Sequence, residues 1–349
     1  MPSLARRLLA ALELARLPVA FGAVAGVWTM ILLAEAGAGA AGAVTGSADA
    51  IGAASAASET GAIPGGALAL PVRLAAGALV AVGFVAFGAI LNDFLDAKHD
   101  RAFAPDRPIP SGAVRPRRAI QLALAALVAG FGGAAAFGTT ALGLATAMAA
   151  LILVYDAFAK HVPALGIVLS GLLTALAMLV PSLGAAITAP VWLAMSQTMG
   201  LGLAAYLLAG KRPKLSPRAI AAGFAGWSFW SAAILGLGAW RAGEAGGAGW
   251  DGIVGGMSAG ELAIPALATI VGGALAAWKL RAARGATAGS RVLRYGSLWK
   301  ALVAASWLLA AGLAAEAAWI GGLAVAIFAA TALAREAGPQ LLAPVSWRS

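Results

Sequence analysis

The sequence predicts an all-α protein, a polytopic transmembrane bundle of nine or ten helical spans, and three observations predict it. Of its 349 residues, 61% are hydrophobic and only 11% charged, whereas a soluble domain has about a quarter charged. Apolar runs of bilayer-crossing length, about 17 to 25 residues, recur along the chain. Lysine and arginine collect in every second connection between those runs, the asymmetry that orients membrane proteins. The net charge of +10 is therefore read as topology in a lipid bilayer, with no nucleic-acid partner. The chain contains no cysteine, which excludes disulfides and thiolate metal sites.

The spans follow in order. The first, 17–34, has Arg6 and Arg7 before it and Arg16 against it. It exceeds a signal-peptide core in length and is expected to remain as a helix. The second covers 74–91. The third and fourth, 119–137 and 138–155, are divided by Gly138-Thr139-Thr140. Pro163 precedes the fifth, 164–180, and Pro181 ends it, because proline cannot continue the backbone hydrogen-bond ladder. The sixth, seventh and eighth cover 190–209, 219–240 and 262–278. The stretch 298–334 has room for two more spans broken near Glu316, or for one tilted span and a surface helix. The connections 35–70 and 241–261 are rich in Ala, Gly and Ser and read as weakly ordered loops. The whole chain, 1–349, reads as one integral membrane domain.

With ten spans, which return the tail with Arg335 and Arg348 to the same side, all of the 24 basic residues except Arg73 and Arg241 lie on one side. Lys279, Arg281, Arg284, Arg291, Arg294 and Lys300 are counted in the connection after the eighth span. The basic side is expected to be the cytoplasm, N-terminus included, of a bacterial plasma membrane.

One basic-side connection also concentrates acid. In ILNDFLDAKHDRAFAPDRPIPSG, residues 90–112, Asp93, Asp96, Asp100 and Asp106 alternate with Lys98, Arg101 and Arg107. If the second span continues helically, Asn92, Asp96 and Asp100 fall at i, i+4 and i+8, with Asp93 on the same face. Like charges so placed repel unless a cation relieves them, and Mg²⁺ is the natural one. It takes a few carboxylate oxygens and bridges to the phosphate oxygens of a substrate. The bland alternative is a solvated loop whose Asp and Arg residues pair with one another. His99 and His161, the only imidazoles, lack the spacing of a zinc site.

NDFLDAKHD resembles the first aspartate-rich signature of the UbiA superfamily of intramembrane prenyltransferases, and the following DRPIPSG resembles the segment that accompanies it. ELARLPVAF (Glu13 to Phe21) and YDAFAKHVPALG (Tyr155 to Gly166) are similar to further family segments. The resemblance implies a UbiA-type helical bundle, usually of nine spans, around a cavity where Mg²⁺ grips an isoprenyl diphosphate. It implies metal ligation by Asn92, Asp96 and Asp100 with Asp93 in support, and Asp96 and Asp100 as the central catalytic acids. The prenyl group passes to a hydrophobic or aromatic acceptor. Lys160 stands five residues after Tyr155, where four is commoner, and is weighed evenly as a diphosphate ligand and as a membrane anchor.

The resemblance breaks at the second aspartate motif. AYLLAGKRPKLSPRAI, Ala205 to Ile220, contains no acid, and Lys211, Arg212 and Lys214 stand where carboxylates are expected. The pattern resembles a divergent, EboC-like branch of the superfamily, associated with metabolite-export gene clusters. Two readings stay open. These cations contact the diphosphate directly, or the protein is non-catalytic and binds or helps move a prenylated or aromatic metabolite.

Overall fold

Backbone in lipid has no water to bond to, so each segment must satisfy its own N–H and C=O groups, and a helix does this internally. The computed structural model describes residues 17–44, 68–105, 107–185, 187–210, 214–244, 247–281 and 284–342. In chain order it has α1 (Leu17–Val44), α2 (Leu70–Leu95), a short α3 (Ala97–Phe103), α4 (Pro116–Ala135) and α5 (Thr139–Ala157). A 3-10 turn at Ala159–His161 leads to α6 (Pro163–Leu179) and α7 (Ala189–Leu208). Then come α8 (Pro217–Glu244), a short α9 (Gly249–Val254), α10 (Ala259–Leu280), α11 (Ala286–Ala310) and α12 (Ala314–Leu342). Proline occupies the first turn of α2, α4, α6 and α7, where its missing N–H costs nothing.

Among the described residues, eight helices are long and apolar enough to cross a bilayer: α1, α2, α4, α5, α7, α8, α10 and α12. The chain is thus an integral, multi-pass membrane protein. Of the other two long helices, α6 has 17 residues and α11 carries Arg291, Arg294 and Lys300.

The stretch 298–334 resolves into parts of two helices, and the break falls at Gly312, ahead of Glu316. Gly312 has φ +77. The N–H of Leu313 donates to Leu308 O at 2.9 Å and that of Gly312 to Leu309 O at 3.1 Å, a Schellman ending. Glu316 instead lies in the first turn of α12, where the helix dipole favours an acid.

Two expectations are corrected. The segment 241–261 is largely ordered: α8 runs to Glu244, α9 packs on it, and Thr188 N–H donates to Ile253 O at 3.1 Å. The Gly238 and Gly252 backbones lie so close that neither position has space for a Cβ. Lys300, counted above with the cytoplasmic cations, lies instead in the middle of α11 and packs inside the bundle. The connection after the eighth span is shorter than expected, because α11 begins at Ala286.

α1 packs against α2, α6, α7, α11 and α12. α2 and α4 meet almost backbone to backbone: a Cβ on Gly83 would lie 2.6 Å from Gly130 N and 2.7 Å from Ala126 O. Small residues permit such approach in lipid, where packing has to supply the attraction. This contact fixes the axis of α2, which carries the acidic stretch at its end. Gly83→Val should therefore separate α2 and α4, costing about 1–3 kcal/mol, read as a lowered melting temperature in detergent. An unchanged melting temperature contradicts this packing.

Candidate diphosphate and metal site

The helical ladder does continue past the end of α2. Asp96 N–H donates to Asn92 O at 2.9 Å, and Asp100 N–H to Asp96 O at 2.8 Å. At about 100° per residue, Asn92 and Asp96 differ by roughly 40° around the axis, and Asp93 and Asp100 by roughly 20°. The four side chains share one face and divide into those two pairs.

Each pair converges on one cation. Lys160 Nζ donates to Asp96 Oδ1 at 2.6 Å and to Asn92 Oδ1 at 3.1 Å. Arg107 Nη1 donates to Asp100 Oδ2 at 2.7 Å and lies 3.7 Å from Asp93 Oδ1. Asp93 and Asp100 are 7% and 5% exposed, so both carboxylates need such a partner. The repulsion foreseen from sequence is thus relieved by the chain's own lysine and arginine. Asp and Arg do pair here, as in a solvated loop, but the Asp93 and Asp100 carboxylates are buried while Arg107 reaches them from the exposed side.

Local structure delivers both cations. α5 ends at Ala157, and Phe158 adopts φ −133. The following 3-10 turn, anchored by the fully buried Ala159, swings Lys160 back over the end of α2. Tyr155 and Lys160 therefore do not need a common helical face, and their five-residue spacing is no obstacle. Arg107 is set by the loop before α4, where Ile109 and Val114 are buried against the α2, α4 and α5 core. Val114 N–H donates to Pro108 O at 2.9 Å.

Of the other expected residues, Lys214 is exposed, and no hydrogen bond or ion pair joins it to this face among the described residues. Lys211, Arg212 and Asp106 lie outside the described residues. His99 stacks on Phe103 at 4.5 Å. One participant carries no signal in the spacing: Arg107, which stands among the alternating charges of the stretch.

The donor set suits a hard cation such as Mg²⁺: oxygen only, carboxylates plus one amide carbonyl. Asn92 and Asp96 already hold one cation, the lysine ammonium, between them. Among the described residues no three His, Cys, Asp or Glu side chains stand close enough to hold a metal. Lys160 and Arg107 occupy the oxygens of the two pairs, and a metal would have to take their place.

The sequence pattern of the UbiA prenyltransferase family matches residues 50–284. The chain belongs to that family. A digeranylgeranylglyceryl phosphate synthase of Methanopyrus kandleri is 37% identical over 105 residues, 29% of this chain and 39% of that protein. The synthase of the same name from Methanothrix thermoacetophila is 34% identical over 136 residues, 38% of this chain and 50% of its own length. The chain thus matches half or less of each relative. A solved structure of a digeranylgeranylglyceryl phosphate synthase superposes with a TM-score of 0.54 at 17% identity, covering 87% of this chain and 98% of that one. This likeness establishes the UbiA-type fold.

Proposed function

We propose that this protein is a Mg²⁺-dependent intramembrane prenyltransferase. It moves a prenyl group from an isoprenyl diphosphate to a hydrophobic or aromatic acceptor. The observation that carries the reading is the paired acidic face, in which Asn92 with Asp96, and Asp93 with Asp100, each enclose one cation. Those four residues would hold Mg²⁺, which when bound neutralises the diphosphate leaving group and so lowers the barrier to its departure.

The chain's own groups do the rest. Lys160 and Arg107, released from the acids, turn to the phosphate oxygens and hold the anion by charge-assisted hydrogen bonds. Lys211, Arg212 and Lys214 belong to this reading as further diphosphate ligands on the basic connection between α7 and α8. The C1–O bond of the donor breaks, and the electron pair leaves with diphosphate. C1 then bonds to the acceptor, which loses a proton. An apolar bundle interior keeps water from capturing the cationic carbon.

Helices outside the matched segment support treating 1–349 as one domain, since α1, α11 and α12 pack against its members and one another. The basic asymmetry, Lys300 excepted, supports a cytoplasmic N-terminus and a cytoplasmic acidic face. The acid-free connection Ala205–Ile220 favours a second reading, a carrier that binds prenylated or aromatic ligands without transfer.

The relatives' name makes geranylgeranyl diphosphate and a prenylated glyceryl phosphate the first pair to assay. Purified protein with Mg²⁺ should release diphosphate and form the alkylated acceptor, and Asp96→Asn should slow this by about 10²-fold. Donor binding without transfer to any of a panel of lipid and aromatic acceptors would favour the carrier. Topology is checked separately in this cysteine-free chain. Ser111→Cys should label from the cytoplasm and Gly247→Cys from the opposite side; labelling of both from one side refutes the orientation.

A further inference from the structure

A second charged feature lies deep in the bundle, away from the acidic face. Lys300 of α11 donates to Thr198 Oγ1 of α7 at 2.7 Å. Thr198 lies ten residues from the end of α7, and Thr174 eleven from the start of α6, so this level is about 15 Å inside the bundle. That is half of a hydrocarbon layer about 30 Å thick. No carboxylate pairs with Lys300 among the described residues.

Lys300, Thr29, Thr174 and Gln197 line a cavity of about 30 Å³, closed elsewhere by small and apolar residues from α1, α6, α7 and α11. Its polar wall offers donors. Two of the lysine's three N–H groups remain. Gln197 is 5% exposed, and its Nε2 has no hydrogen-bond partner. The nearby hydroxyls are already spent as donors, Thr198 to Ala194 O at 2.8 Å and Thr29 to Ala304 O at 3.2 Å. A cation at this depth is costly unless something compensates it, and an unfilled buried amide adds its own penalty. The space takes about two waters, hence one halide-sized ion or the tip of a carboxylate, and no aromatic ring.

We propose that Lys300 and Gln197, braced by Thr198, form an intramembrane binding site for a small monovalent anion. The ion is a free halide, or the carboxylate head of an acid dissolved in the lipid. The site is separate from the acidic face and does not depend on prenyl transfer.

The test is thermal unfolding of the full chain in detergent, with sodium chloride or bromide against sodium gluconate at equal ionic strength. Halide should raise the wild-type melting temperature saturably. Lys300→Met should abolish that response and melt higher than wild type in gluconate, since it deletes an uncompensated buried charge. Gln197→Leu should weaken the halide response severalfold, and it carries the test if Lys300→Met fails to fold. In bromide-soaked crystals an anomalous peak beside Lys300 Nζ identifies the ion as free. A Lys300-dependent shift with decanoate, but with neither halide nor decanol, identifies a carboxylate head. If no anion stabilises wild type more than Lys300→Met, the proposal is overturned.

Discussion

Charge buried within a membrane bundle must be compensated where it lies, and this constraint shapes the protein at every depth. Water is not there to solvate an ion, and an isolated one costs several kcal/mol. At the end of α2 four oxygen-bearing side chains meet two cations, and the loops on either side are folded to bring those cations in. At the opposite end of α2, Arg73 is buried and pairs with Glu35 of α1. Midway through the bundle, Lys300 has a hydroxyl and a cavity in place of a carboxylate.

The same constraint links fold to chemistry. The close contact of α2 with α4 holds the acidic face in register with the loop that carries Arg107. The turn between α5 and α6 does the same for Lys160. These cations hold the carboxylates in place before any ligand arrives. They are also the groups best placed to grip an anion that brings its own metal. On the proposed function, ligand binding here would exchange one set of ion pairs for another without exposing bare charge to lipid.

Much of this was legible in the sequence, for identifiable reasons. Span-length apolar runs located the long helices, and Pro163 and Pro181 bracketed α6, because bilayer thickness and proline geometry leave little choice. The i, i+4, i+8 spacing put Asn92, Asp96 and Asp100 on one face because the backbone ladder runs unbroken through Asp96. Partnership was not legible. Lys160 reaches Asp96 across 64 positions through a 3-10 turn that helical periodicity does not anticipate. Lys300 reads as a loop cation because basic residues precede it, whereas α11 starts at Ala286 and carries it inward. The order in 241–261 comes from contacts with α8 and with Ile187 and Thr188 ahead of α7, which local composition does not record.

The central claim is that Lys160 and Arg107 occupy the acids until a metal–diphosphate ligand displaces them. Calorimetric titration of purified wild type and Lys160→Met, with geranylgeranyl diphosphate and Mg²⁺ added separately and together, tests it most directly. The account predicts tight diphosphate binding only with Mg²⁺ present. It also predicts that Lys160→Met binds Mg²⁺ alone more tightly, its competitor gone, yet binds the diphosphate more weakly. Diphosphate binding that is indifferent to Mg²⁺, or a variant with reduced affinity for Mg²⁺ alone, would contradict it.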